Sequence, residues 1–181
     1  MNGAIEAGLG GHATVGLSDE RSAPEGMSMV VFSGELDKVL AAFIIANGAA
    51  AMDLPVTMFF TFWGLNVLRK DGPVHVESPK TTTERMFGRM MPKGAGGLKL
   101  SHLNMAGLGT RMIKKEMEKK HVIDLPHLIQ SAQEQGVRLI ACTMSMDLMG
   151  IRKEELLPGI DFGGVGSFVD SADKSRMTLF I

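Results

Sequence analysis

Thiols are nearly missing from this sequence: Cys142 is the one cysteine in 181 residues. A single thiol cannot build an intramolecular disulfide framework, a CxxC redox pair or a multi-thiolate metal site, so extracellular stapling and dithiol chemistry are excluded. Aromatic residues make up 6%, with one Trp and no Tyr. An excess of charge of one sign is also lacking. Nineteen Lys and Arg face twenty Asp and Glu, a net charge of −1, and no whole-protein field steers the chain onto nucleic acid. The longest apolar run, 39–52, is broken by Asn47 and Gly48 and falls short of the ~20 residues that span a bilayer. Residues 1–26 have no basic start followed by an apolar stretch, so they do not read as a signal peptide and the expected location is cytoplasmic.

At ~150 residues per domain the length predicts one domain, and a chain of this size buries roughly 70% of the surface it exposes unfolded. Residues 1–26, rich in Gly, Ala and small polar residues, bury too little apolar area to offset their ordering entropy. They are expected to be a flexible tail, with 27–181 as a single domain.

The apolar run 27–32 reads as a buried strand. Ser33 is a candidate N-cap, and Leu36, Val39, Leu40, Phe43 and Ile44 then recur at helical spacing. Pro55 turns the chain into 56–62, a second strand, and strand, helix, strand is a βαβ unit with a parallel sheet. The stretch 63–103 is the least regular, with a helix expected at 84–91 and a glycine-rich basic loop at 93–99. Helical spacing returns at Met105, Leu108, Met112, Ile113 and Met117, and 125–135 is a further helix ended by Gly136. A third strand is expected at 137–141, a short helical segment at 144–149, a strand at 160–162, a helix at 165–172 and a last strand at 177–181.

Ligands of parallel α/β sheets gather beyond the carboxyl ends of the strands, where Cys142 lies. A helix beginning just after it would turn free N–H groups and the positive end of a dipole toward the thiol, favouring thiolate. The other reading is a buried cysteine that acts as a small hydrophobe. Asp147 opposes thiolate if it is close, and it equally suits capping 143–145 or holding a loop.

The stretch 141–151, Ala-Cys-Thr-Met-Ser-Met-Asp-Leu-Met-Gly-Ile, carries a resemblance together with 59–66, Phe-Phe-Thr-Phe-Trp-Gly-Leu-Asn, and 33–38, Ser-Gly-Glu-Leu-Asp-Lys. The three resemble the DsrE2 branch of the DsrE/DsrF/DrsH-like family, and the match runs over 27–181. The resemblance implies a flavodoxin-like, three-layer α/β fold with a mostly parallel sheet of about five strands. It also implies assembly into a homo-oligomer and a role in sulfur trafficking, with Cys142 carrying sulfane sulfur as a persulfide between donor and acceptor proteins or small thiols. Some family members have a second cysteine; this chain has none, so resolution of the persulfide needs a partner.

Trp63, Gly64 and Asn66 follow the second strand and are expected to line the crevice with Cys142, Thr143, Met144 and Ser145; Trp63 alternatively packs a sheet edge or an interface between copies. Ser33 and Gly34 could offer backbone N–H groups to an anion or act only as a cap. Residues 93–99 lack the Lys-Ser/Thr pair of a P-loop, and Gly107-Leu-Gly109 is too short for a dinucleotide fingerprint. Residues 93–102 are read as a mobile lid or a plain flexible loop. The five histidines show no metal spacing, and no cofactor or metal is expected; His102 is either a neighbour of the thiol or an ordinary surface residue. The cluster 111–120 reads as a solvated basic helix face, and the fifteen methionines as core filling plus a self-association surface. Two further functional readings stay open beside sulfur carriage. One is a non-catalytic ligand-binding or scaffold module with an inert cysteine. The other is a peripheral membrane protein using 39–52 or the Met-rich helices, which requires those faces to be exposed.

Overall fold

Because side chains on a strand alternate between faces, each strand of a buried parallel sheet feeds two cores. The computed structural model describes residues 25–181. Strands β1 (Met27–Val31), β2 (Val56–Phe60), β3 (Arg138–Cys142), β4 (Asp161–Gly163) and β5 (Met177–Phe180) form one sheet in the order β4-β3-β2-β1-β5. All four pairings are parallel. The expected α/β architecture with about five parallel strands is thus the observed one. The expected tail lies outside the described residues except for its last two. Of those, Gly26 is already held, its carbonyl accepting from the Arg176 N–H at 3.1 Å.

From β1 to β4 the chain steps one way across the sheet, and then it returns past β1 to place β5. Crossovers of one hand put the helices of opposite steps on opposite faces. Helices α1 (Leu36–Ala50) and α4 (Leu125–Glu134) accordingly pack on one face, over Met29, Val31, Met58, Phe60, Leu139 and Ala141. Helix α6 (Val165–Asp173) covers the other, where Phe168 packs on Phe59, Ile140 and Cys142. Helix α1 buries Leu36, Val39, Ala42, Phe43 and Ala46, the spacing expected of one helical face. Asn47 ties it to α4 by donating from Nδ2 to the Leu128 carbonyl at 3.0 Å.

Three local expectations differ. Ser33 is not the N-cap of α1: that position is Glu35, which makes no side-chain cap, and the Leu36 N–H donates instead to the Lys99 carbonyl at 2.7 Å. The same contact anchors the expected lid. Leu98 is buried, Glu35 bridges Lys99, and the Ser101 N–H donates to Asp37 Oδ1 at 2.9 Å, so 93–102 serves as the tertiary cap of a helix. The stretch 63–103 is largely irregular around the helix Thr82–Met90, as expected, but it opens on a 3-10 helix, Phe62–Leu68, with Gly64 to Leu68 buried. Helix α3 (Leu108–Lys119) buries only Thr110, because it rests on loops rather than on the sheet; Met105, Leu108 and Met112 are exposed and are not core. Helices α2 (Thr82–Met90) and α5 (Thr143–Met149) complete the set.

Candidate functional site

Strand β3 ends on Cys142, and α5 starts at the next residue, so the cysteine occupies the N-cap position with extended backbone and no side-chain cap bond. Parity within the strand sets where its sulfur goes. Leu139 and Ala141 join the core under α1 and α4, while Ile140 and Cys142 face α6. The thiol is 3% exposed, enclosed by Phe59, Ile140 and Phe168, with the Phe59 and Phe168 rings 5.6 Å apart. Gly163 pairs with Cys142 on β4, and a Cβ there would lie 2.7 Å from Ser167 Oγ, so only glycine lets α6 approach this closely.

Around the thiol, Thr143 donates from Oγ1 to the Gly163 carbonyl at 3.5 Å, a long contact. Ser145 is fully buried, its hydroxyl 2.8 Å from that of Thr61 at the end of β2. Met144 and Asp147 face solvent, and among the described residues the Asp147 carboxylate accepts no hydrogen bond. His102 follows Ser101 at the start of α1, on the face away from α6, and is exposed.

Ser33, Gly34, Trp63 and Asn66 come together elsewhere. They line a cavity of about 600 Å³ beyond β1 and β5, with Lys38 and Phe180 among its other walls. Cys142 is not among its lining residues, so the sequence-based grouping divides in two. The fused crevice fails because the sulfur turns under α6 while this cavity opens past the strand ends. The Thr61 to Ser145 hydroxyl contact links the two groups. Gly64 lies beneath the cavity, where a Cβ would meet the Val31 carbonyl oxygen at 2.1 Å, and its N–H donates to Phe32 O at 2.9 Å. Trp63 is 49% exposed at the rim, and Phe32 stacks on Phe180 at 5.9 Å. Ser33 Oγ accepts from the Glu35 N–H at 3.2 Å.

A larger cavity, about 800 Å³, opens between the starts of α1 and α4 and the end of α3, lined by Leu36, Met117, Val122, Leu125 and His127 among others. It includes none of the residues grouped with Cys142, but Ala95 and Gly96 of the 93–102 loop line it. Sequence reasoning also missed a buried ionic cluster. Arg69 Nη2 donates to Glu155 Oε1 at 3.1 Å, Lys80 Nζ to Glu155 Oε2 at 2.5 Å, and the Arg152 N–H to Glu155 Oε2 at 2.9 Å. Burial by itself would raise the Glu155 pKa, but the Arg152 N–H, Lys80 and Arg69 outweigh it and hold the carboxyl below its ordinary range. No signal along the sequence could pair residues this far apart.

Among the described residues no group of three or more His, Cys, Asp or Glu side chains is placed to hold a metal ion, and no helix is long and apolar enough to cross a membrane.

The sequence profile of the DsrE/DsrF/DrsH-like family matches residues 23–180. The uncharacterized protein YrkE of Bacillus subtilis (strain 168) is 53% identical over 154 residues, covering 85% of this chain and 95% of its own. The sulfur carrier protein DsrE2 of Allochromatium vinosum is 33% identical over 155 residues, covering 86% and 97%. Among solved structures, the YchN protein of E. coli superposes with a TM-score of 0.51 at 9% identity, covering 87% of this chain and 99% of that one. MTH1491 of Methanobacterium thermoautotrophicum, a protein of unknown function, gives 0.50 at 16% identity, covering 86% and 98%. These two likenesses establish the shared fold.

Proposed function

The chain belongs to the DsrE/DsrF/DrsH-like family, and from that premise we propose that it is a cytoplasmic sulfur carrier that holds sulfane sulfur as a persulfide on Cys142 and passes it to a partner. The observation that carries the reading is the likeness to a sulfur carrier in a chain whose one thiol sits at the carboxyl end of a central strand, in the first turn's N-cap position. In the loading step the Cys142 thiolate attacks the outer sulfur of a donor persulfide, R–S–SH. The Cys142 Sγ–S bond forms, the donor S–S bond breaks, and the donor leaves as R–S⁻. An acceptor thiolate then attacks the outer sulfur of Cys142–S–SH and releases the Cys142 thiolate, so no external oxidant or reductant is consumed. Donor and acceptor are other proteins or small thiols, because the chain has no second cysteine.

Burial of the thiol means that α6 must lift from Phe59 and Ile140 for a donor to reach it. Exposed apolar residues at the same end of the sheet, Phe180, Met144, Leu148 and Val165, suit assembly into a homo-oligomer. The test is intact mass after incubation with a persulfide donor: the expected result is a gain of one sulfur atom, removed by an acceptor thiol and absent in Cys142→Ser. No gain, or an equal gain in the variant, ends the proposal. The 3% exposure favours a second reading, a non-catalytic ligand-binding or scaffold module with an inert cysteine. In that case native Cys142 stays unalkylated at neutral pH while the unfolded chain reacts.

A further inference from the structure

Sulfur carriage makes no use of a third cavity, an open depression of about 270 Å³ lined by α2 and by Arg69, Val74, Val76, Lys80, Lys93 and Glu155. Its lining carries five cations, Arg69, Lys80, Arg85, Arg89 and Lys93, and two carboxylates, Glu84 and Glu155, a net +3 within a chain of net −1. Both carboxylates are already committed. Glu155 is shared between Arg69 and Lys80 in the floor, one carboxylate for two cations, and Glu84 Oε1 accepts from Arg152 Nη2 at 3.0 Å. Among the described residues Arg85, Arg89 and Lys93 form no ion pair.

Those three exposed cations receive no counter-charge from the described residues. Arg85 and Arg89 stand four residues apart on α2, where like charges repel, and α2 buries none of its residues to offset this. Gly88 lines the cavity between them, and a Cβ there would meet nothing within 4 Å, so packing does not require glycine at this position. The volume is about nine times the ~30 Å³ share of one liquid water, enough for a four-oxygen anion with part of its hydration. Guanidinium forks match the paired oxygens of such an anion, and concave walls that include Val74 and Val76 focus the positive field. We propose that this cavity is a binding site for a small tetrahedral oxyanion of the phosphate or sulfate type, held by Arg85, Arg89 and Lys93.

The experiment is a titration of the full chain with inorganic phosphate and, separately, sulfate, read as the shift in thermal unfolding midpoint against chloride at matched ionic strength. The expected result is a saturable rise with one or both oxyanions, their ratio distinguishing the preferred anion. In Arg85→Gln/Arg89→Gln the apparent affinity falls at least about tenfold, the loss of charge-assisted bonds. The variant's midpoint in chloride is not lowered, since both side chains are exposed and their repulsion is removed. Cys142→Ser binds as the parent does, which separates this site from sulfur carriage. Sulfate and phosphate also stabilise proteins by exclusion from their surface, and that effect acts on parent and variant alike. An equal rise in both, or no rise beyond chloride, overturns the proposal.

Discussion

Replacing Glu155 with Ala removes the carboxylate that accepts from Arg69, Lys80 and the Arg152 N–H. The Arg69 side chain is 2% exposed, so its guanidinium would stay buried with its charge uncompensated. Removing one partner of a buried pair costs about 3–5 kcal/mol, a large share of the ~5–15 kcal/mol that holds a typical domain folded. At roughly 2–4 °C per kcal/mol for a chain of this size, the unfolding midpoint should drop by about 6–20 °C. Urea and thermal unfolding measure the loss, and Glu155→Gln, which keeps shape and one acceptor, should retain more. Replacing both partners, Arg69→Met with Glu155→Leu, leaves no orphaned charge and should cost well under the sum of the single changes. Acidity tests the same group. Its folded pKa is depressed, so its stabilisation is present above the ordinary carboxylate value, ~4.3, and is lost as pH falls through the folded pKa. Glu155→Gln should therefore flatten the acid limb. A loss below about 1 kcal/mol for Glu155→Ala, the range of an exposed pair, would refute the reasoning.

Three other outcomes are expected. Gly64→Ala should lower stability by about 1–3 kcal/mol in urea unfolding, because a Cβ 2.1 Å from the Val31 carbonyl forces the 3-10 helix off the end of β1. Phe168→Ala should speed alkylation of Cys142 by iodoacetamide several-fold under native conditions; an unchanged rate would show that α6 does not gate the thiol. Asp37→Asn should lower the thermal midpoint modestly, since the side-chain amide replaces a carboxylate that accepts from both the N–H and the hydroxyl of Ser101.

Mostly apolar runs, interrupted by Ser28 and Thr57, make β1 and β2 legible in the sequence; of the five positions at helical spacing in α1, Leu36, Val39 and Phe43 are buried, Leu40 is half-buried and Ile44 is exposed. What stayed hidden depends on distance along the chain or on parity. The cap of α1 comes from Lys99, and the partner of Arg69 is Glu155; neither leaves a local pattern. The sequence places Cys142 at the end of β3, but which face receives its sulfur is not legible in it. Leu139, Ile140, Ala141 and Cys142 are all apolar, so their alternation carries no contrast. Helix α3 is the opposite case: of the two roles read for its periodic methionines, core filling and self-association, the first fails because no sheet lies beneath them.

The neighbouring of β1 and β5 has a consequence in time. Met27 pairs with Met177, so one edge of β1 waits through the synthesis of 150 further residues for its partner. At ~5–20 residues per second that wait is about 8–30 s. Throughout it, the N–H and C=O groups on that side of a strand that is apolar but for Ser28 offer a template to any other nascent chain. The yield of soluble protein should therefore depend on how fast the ribosome completes the chain and how crowded it is with copies of itself.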